Sequence, residues 1–183
     1  MTLEDLIVKK EIEDLLYIYC RAMDRVDDDL ALSVWHEDGT LQYFDRPVQT
    51  IRQFLAYSSP ARLTLKSHTH AIVNILTKVD GDMAYSESYG ISLGQQVPND
   101  GVVIDDIYSG RYLDRWSKRD GKWGLEHRKY IPESYAKTQS PEAWSGGRAA
   151  GGIIPPIAKR DRTDPSYAFF AGVRLEDGVP RQD

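Results

Sequence analysis

Between Leu3 and Asp24 apolar residues recur at three- and four-residue spacing: Leu3, Leu6, Ile7, Ile12, Leu15, Leu16, Ile18, Tyr19 and Ala22. This pattern predicts an amphipathic helix over residues 3–24. Thr2 followed by Asp5 resembles an N-cap arrangement, and Glu4 and Asp5 suit the helix dipole. The acidic run at 27–29 interrupts the pattern, and one of its carboxylates is expected to cap a second short helix, DLALSVWHED. Asp38–Gly39 is a turn signal, TLQYF alternates like a strand, and TIRQFLAYSS reads as a third helix that stops before Pro60. From there the period changes. Residues 66–79 (KSHTHAIVNILTKV) are rich in β-branched residues and end at the hairpin signal Asp80–Gly81, after which Met83 to Gln95 returns. The loop QVPNDG leads to VVIDDIYSGRYLDRWSKR, a turn at Asp120–Gly121, and KWGLEHRKYI. Helix, helix, strand, helix and four long antiparallel strands predict an α+β domain. A curved antiparallel sheet wrapped around the long N-terminal helix would bury one face and leave a cavity at its open end.

After Pro132 the periodicity ends, in SGGRAAGG and then IIPPIAKRDRTDPSY. Residues 1–132 are therefore read as one domain and 133–183 as an irregular, Gly/Pro-rich C-terminal extension. Its apolar members, Trp144, Ile153, Ile154, Tyr167, Phe169 and Phe170, imply packing on the domain, at the pocket mouth, or on a neighbouring subunit.

Composition narrows the function classes. A net charge of −5 and scattered Lys and Arg give no basis for a nucleic-acid or anionic-membrane partner. No apolar run approaches the roughly 20 residues of a membrane span. Cys20 is the single cysteine, which excludes an intramolecular disulfide and is expected to pack as a small hydrophobe. The acidic, amphipathic start is unlike a signal peptide, so a cytoplasmic location is expected.

The chain has four histidines, His36, His68, His70 and His127, and lacks HExxH, P-loop, GxGxxG and GxSxG motifs. His68 and His70, two apart on a strand, share a face, and with an acid they could bind a metal. Asp24 ends the first helix, within YIYCRAMDRVDDD.

That segment, the later SHTHAIVN and the closing RYLDRWSKRDGKWGLEHR together resemble the SnoaL-like family, in order and spacing, over residues 1 to about 131. Relatives there include scytalone dehydratase, a hexachlorocyclohexane dehydrochlorinase and a bile-acid dehydratase. The resemblance implies a cystatin-like cone fold and an aspartate at the end of the first helix paired with a histidine of an HxxxN pattern. Asp24, His70 and Asn74 match these positions. Tyr19 matches a tyrosine of the dehydratase branch, and Arg128 an active-site arginine of the dehydrochlorinase. The second acidic residue of the bile-acid enzyme falls near Ser92 here, and the extension has no counterpart.

The chemistry these residues offer agrees with that resemblance. A histidine is the usual general base at neutral pH, and a carboxylate on its other ring nitrogen fixes the tautomer. Tyr19 could then hydrogen-bond a substrate oxygen, and Arg128 could hold developing negative charge. His68, Asn74, Tyr89 and Tyr108 are the candidates for contacting substrate. His127 should face away from Arg128. The expectation is a cofactor-independent, metal-free lyase acting on a small hydrophobic, aromatic or polycyclic molecule by dehydration, dehydrohalogenation or aldehyde loss. An isomerase or cyclase using the same dyad and a non-catalytic ligand-binding protein are the rivals. An apolar outer sheet face would call for a homodimer or homotrimer.

Overall fold

The computed structural model of the chain describes residues 1–98, 101–139 and 158–172, together with the backbone of 147–149 and 152–154. Helix α1 (Leu3–Arg25) begins on a capping box: the Thr2 hydroxyl accepts the Asp5 N–H at 3.1 Å, and the Asp5 carboxylate accepts the Thr2 N–H at 2.7 Å. Its buried face runs Val8, Ile12, Leu15, Leu16, Tyr19, Ala22 and Met23. Leu3, Leu6 and Ile7 are exposed, so the first turns stand clear of the core that the apolar spacing had assigned them to. The helix ends at Val26 in a left-handed conformation (φ 52°).

Helix α2 (Asp28–Ser33) is capped by Asp27, whose carboxylate accepts the Leu30 N–H. It is shorter than the sequence reading. Strand β1 (Trp35–Tyr43) starts at Trp35 and passes through Asp38–Gly39 without a turn. Gly39 is needed there because a Cβ would lie 2.8–2.9 Å from the Trp35 ring, the His36 carbonyl and the Leu125 carbonyl. After β2 (Gln49–Thr50), α3 (Ile51–Leu63) runs through Pro60 instead of stopping before it. Pro60 and Ala56 both lie on the exposed side, so the carbonyl that the proline cannot serve is open to water.

Strands β3 (Ser67–Asp80), β4 (Met83–Gln96), β5 (Ile104–Arg119) and β6 (Lys122–Gln139) follow as antiparallel neighbours. The sheet order is β2-β1-β6-β5-β4-β3, with β1 parallel to β6, and a further pair β7 (Gly147–Ala149) and β8 (Gly152–Ile154) forms a separate ladder. Tight turns at Gly81 and at Asp120–Gly121, all with positive φ, close the two long hairpins. Bulges in β3 and β6 bend the long strands around α1, which packs along β3, so the predicted α+β architecture holds. The core is the cluster between α1 and the sheet's inner face, including Leu16, Tyr19, Trp35, Leu41, Trp116 and Leu125.

The short helix α4 (Pro165–Phe169) is capped by Asp164 and lies against the C-terminal end of α1. Arg21 donates to the Ser166 hydroxyl at 2.8 Å and stacks on Tyr167, and the Tyr167 hydroxyl donates to Asp27 at 2.7 Å. Phe170 also lies under the Arg21 guanidinium, whereas Phe169 is exposed. Trp144 falls outside the described residues, as do the side chains of Ile153 and Ile154.

Candidate active site

β3 is an edge strand, so alternate backbone N–H groups point off the sheet with no strand to receive them. The C-terminal end of α1 fills that gap at one rung. Asp24 Oδ2 accepts the His70 backbone N–H at 3.2 Å, and Asp24 Oδ1 meets His70 Nδ1 at 2.7 Å. The carboxylate thus grips its histidine at two points, fixing both the ring and the strand that carries it. Each side chain keeps 13% of its surface accessible, so the pair is sheltered but reachable. With Nδ1 engaged, Nε2 is the ring nitrogen left to meet a substrate.

His68 lies on the same face one rung away, its ring centroid 4.3 Å from that of His70. Its Nε2 is 2.7 Å from the Ser92 hydroxyl. Burial, with the charges of His70, Arg160 and Arg62 around it, lowers the His68 pKa to about 3. His68 is therefore a neutral wall of the site at physiological pH. The ligand-type atoms of Asp24, His68 and His70 all lie within 4.8 Å of one another, a spacing compatible with a metal ion. Asp24 Oδ1 and His70 Nδ1 are bonded to each other, and His68 Nε2 is bonded to Ser92.

The register carries the inner face onward from His70 to Ser92, Tyr108 and Tyr135, each opposite the next. Tyr108 therefore shares the face of the dyad, stacked on Tyr135 at 4.5 Å. Tyr89 does not. It pairs with Val73 on the outer face, is 37% exposed and lies under Arg111, so its assignment as a substrate contact is corrected. The reason is an inverted pattern on β4: Ser86, Ser88, Gly90 and Ser92 point inward, and Tyr85, Tyr89, Ile91 and Leu93 point outward. Small inward residues leave room for large neighbours, since a Cβ on Gly90 would lie 2.8 Å from the Tyr112 ring.

Asn74 is also corrected. It is exposed and sits with φ 51° in the β3 bulge between Val73 and Leu76. Asparagine tolerates this left-handed conformation, so its role is in the backbone, where it resets which residues face inward.

Tyr19 and Arg128 fall in a closed layer behind the site. Arg128 is wholly buried and forms two 2.7 Å bonds to Asp114, while its guanidinium lies over Tyr19 (4.5 Å) and Tyr112 (4.1 Å). Burial pulls the Arg128 pKa down, but Asp114 outweighs it and holds the pKa well above its ordinary value. The Tyr19 hydroxyl meets the Tyr43 hydroxyl at 3.2 Å. With its charge already matched by Asp114, Arg128 is a structural ion pair, not the receiver of substrate charge expected from the sequence. Burial pushes the adjacent Cys20 thiol up to about 12, consistent with a packing role. His127 faces the outer side, 2.9 Å from the Thr40 hydroxyl. It lines a surface groove of about 360 Å3, together with Leu76, Tyr85 and Leu113, on the face opposite the dyad.

Sequence reasoning missed Arg160, in the C-terminal extension, whose charge is felt at both Asp24 and His68. The signal present was the helix-start pattern Asp164–Pro165, which announced an ordered segment there.

Comparison with known proteins agrees with this fold. A putative scytalone dehydratase from Novosphingobium aromaticivorans superposes with a TM-score of 0.63 at 19% identity, over 82% of this chain and 93% of its own. The hexachlorocyclohexane dehydrochlorinase LinA-type3 of Novosphingobium barchaimii gives 0.59 at 15% identity, over 82% and 96%. A Nostoc punctiforme protein of unknown function with a cystatin-like fold gives 0.55 at 23%, over 73% and 94%. No curated protein matches the sequence. The model of the SnoaL-like domain matches residues 4–129, and with most of its length so matched the chain belongs to the SnoaL-like family.

Proposed function

We propose that the protein is a cofactor-independent lyase that removes a proton from a small hydrophobic, aromatic or polycyclic, molecule and eliminates a group from the neighbouring carbon. The observation that carries this is the 2.7 Å bond between His70 Nδ1 and Asp24, in a pair still accessible to solvent. His70 Nε2 takes the proton, and the C–H electron pair becomes the new double bond. A halide leaves with its bonding pair, and hydroxide leaves with its pair and takes the proton back from the imidazolium to depart as water. In aldehyde loss the proton comes instead from a hydroxymethyl O–H, whose carbon–carbon pair becomes the new double bond as hydroxide leaves the carbon beyond. Asp24 holds the tautomer that presents Nε2 and stabilises the imidazolium formed. His68, neutral beside it, shapes the site without competing for the proton. The dehydratase and dehydrochlorinase named among the structural relatives support elimination as the reaction class. A pure binding module would have no need to keep a solvent-reachable Asp–His pair.

The test is a panel of aromatic compounds bearing β-hydroxyl, β-halo or hydroxymethyl groups, followed by mass spectrometry in H2O and D2O. Loss of water, HX or aldehyde is expected with the wild type, with His70→Ala slower by about 10²-fold or more. Deuterium uptake without mass loss would point to the isomerase alternative. Turnover indifferent to His70→Ala would remove the dyad from the mechanism.

A further inference from the structure

The segment 158–172 does more than cover the end of α1. Asp164 is a buried knot in it: its carboxylate accepts the Lys159 N–H at 2.8 Å and the Ser166 N–H at 3.0 Å, bonds the Ser166 hydroxyl, and lies 3.3 Å from Arg25 Nε. A second tie joins Arg162 to Asp27 and Asp29, each at 3.0 Å. Arg160 sits between these two anchors, so the segment presents it in a fixed place.

Three guanidinium groups gather where α1 meets this segment. Arg25 faces Asp164. Arg62 donates to the Met23 carbonyl at 3.0 Å and to the Ser59 hydroxyl at 2.7 Å, and lies 3.4 Å from Asp28. Arg160 differs from both. Its Nε, Nη1 and Nη2 are all shut off from solvent, and none has a hydrogen-bond partner among the described residues. Both Asp24 oxygens are already engaged by His70. Burial lowers the Arg160 pKa, Asp24 acts against that, and Arg62 and Arg25 add to it. Buried unpartnered donors, beside a carboxylate whose oxygens are already taken, are an arrangement that a further anionic oxygen would complete.

We propose that Arg160 is a specificity-determining residue that receives a carboxylate of the substrate, so that the site takes a hydrophobic carboxylic acid anion with its reacting carbon towards His70. This rests on the lyase reading for the reaction but not for the binding. A permanent carboxylate is favoured over an oxyanion formed only during reaction because the guanidinium donors are without hydrogen-bond partners among the described residues already in the resting protein. The forked donor geometry also suits two carboxylate oxygens at once.

The experiment measures binding of naphthalene-2-carboxylate and 3-phenylpropanoate, and of their methyl esters, to the full-length protein by ligand-observed NMR and calorimetry. The proteins compared are the wild type, Arg160→Met and Arg160→Lys. Saturable carboxylate binding is expected in the wild type, weakened at least about tenfold in Arg160→Met and less in Arg160→Lys, with the esters binding weakly and alike to all three. Should Arg160→Met fold poorly, the acid-against-ester comparison on the wild type and Arg160→Lys still decides. Equal binding of acids and esters, or equal binding of acids to all three proteins, would overturn the proposal. Turnover of the earlier panel that is lost in His70→Ala but untouched in Arg160→Met would overturn it while leaving the lyase reading in place. Arg160-dependent carboxylate binding with no compound turned over would do the reverse.

Discussion

At the scale of single residues, the account rests on how Asp24 divides its oxygens. One fixes the ring of His70 and the other its backbone N–H, so Asp24→Asn replaces part of an acceptor pair with donors that have nothing to bond. A stability loss of roughly 1–3 kcal/mol is expected in urea unfolding, together with the loss of activity. No stability change would mean that the carboxylate is not holding the strand. His68 gives a pH-dependent test. Its folded pKa of about 3 lies below the ordinary value of about 6.5. As pH falls between those values, the unfolded chain binds a proton that the folded chain refuses, so stability is lost across that window. Wild-type unfolding free energy is therefore expected to fall more steeply than that of His68→Gln between pH 6.5 and 4. Parallel curves would contradict this.

Residue by residue, the sequence was legible where chemistry and position coincide. Asp24 and His70 could be paired because both sit at fixed points of a family pattern. Asn74 and Arg128 could not be read in the same way. Spacing alone does not reveal that Asn74 is the bulge itself, nor that Arg128 stands opposite Asp114 across β5 and β6. Tyr89 was hidden by the assumption that large residues face inward. On β4 the inner side must be small to admit Tyr112 and its neighbours.

At the scale of elements, the ending of α1 determines where Asp24 points. Val26 holds a left-handed conformation that a β-branched residue adopts at a cost. The helix is terminated there by bonds from the Val26 and Asp27 N–H groups to the Ala22 carbonyl. Val26→Gly is expected to stabilise the protein by roughly 1 kcal/mol in thermal unfolding, because glycine reaches this conformation freely. A loss of stability would mean that Val26 packing outweighs its strain. The periodicity of α1 and the hairpin signals at Asp80–Gly81 and Asp120–Gly121 were enough to find these elements. Helix α3 outran its proline because the affected carbonyl faces water, which sequence period alone does not tell.

At the scale of the whole molecule, the outer face of the sheet is the open question that the pattern on β4 raises. Leu76, Tyr85, Tyr89, Ile91, Leu93 and Leu113 are all exposed on it. Apolar surface of this extent on a sheet usually meets a partner. A homodimer or homotrimer is expected in analytical ultracentrifugation, and the double substitution Leu76→Asp, Leu93→Asp is expected to shift it to monomer. A wild-type monomer would contradict this. Within the described residues, no helix is long and apolar enough to cross a membrane.

The central claim, that His70 is a base presented by Asp24, can be tested before any substrate is known. Nitrogen-15 NMR of the His70 ring reports which nitrogen of the neutral imidazole carries the proton. The proton is expected on Nδ1, facing Asp24, with Nε2 bare, and Asp24→Asn is expected to shift it towards Nε2. A wild-type ring protonated on Nε2, and unchanged in Asp24→Asn, would leave the site without its base and contradict the account.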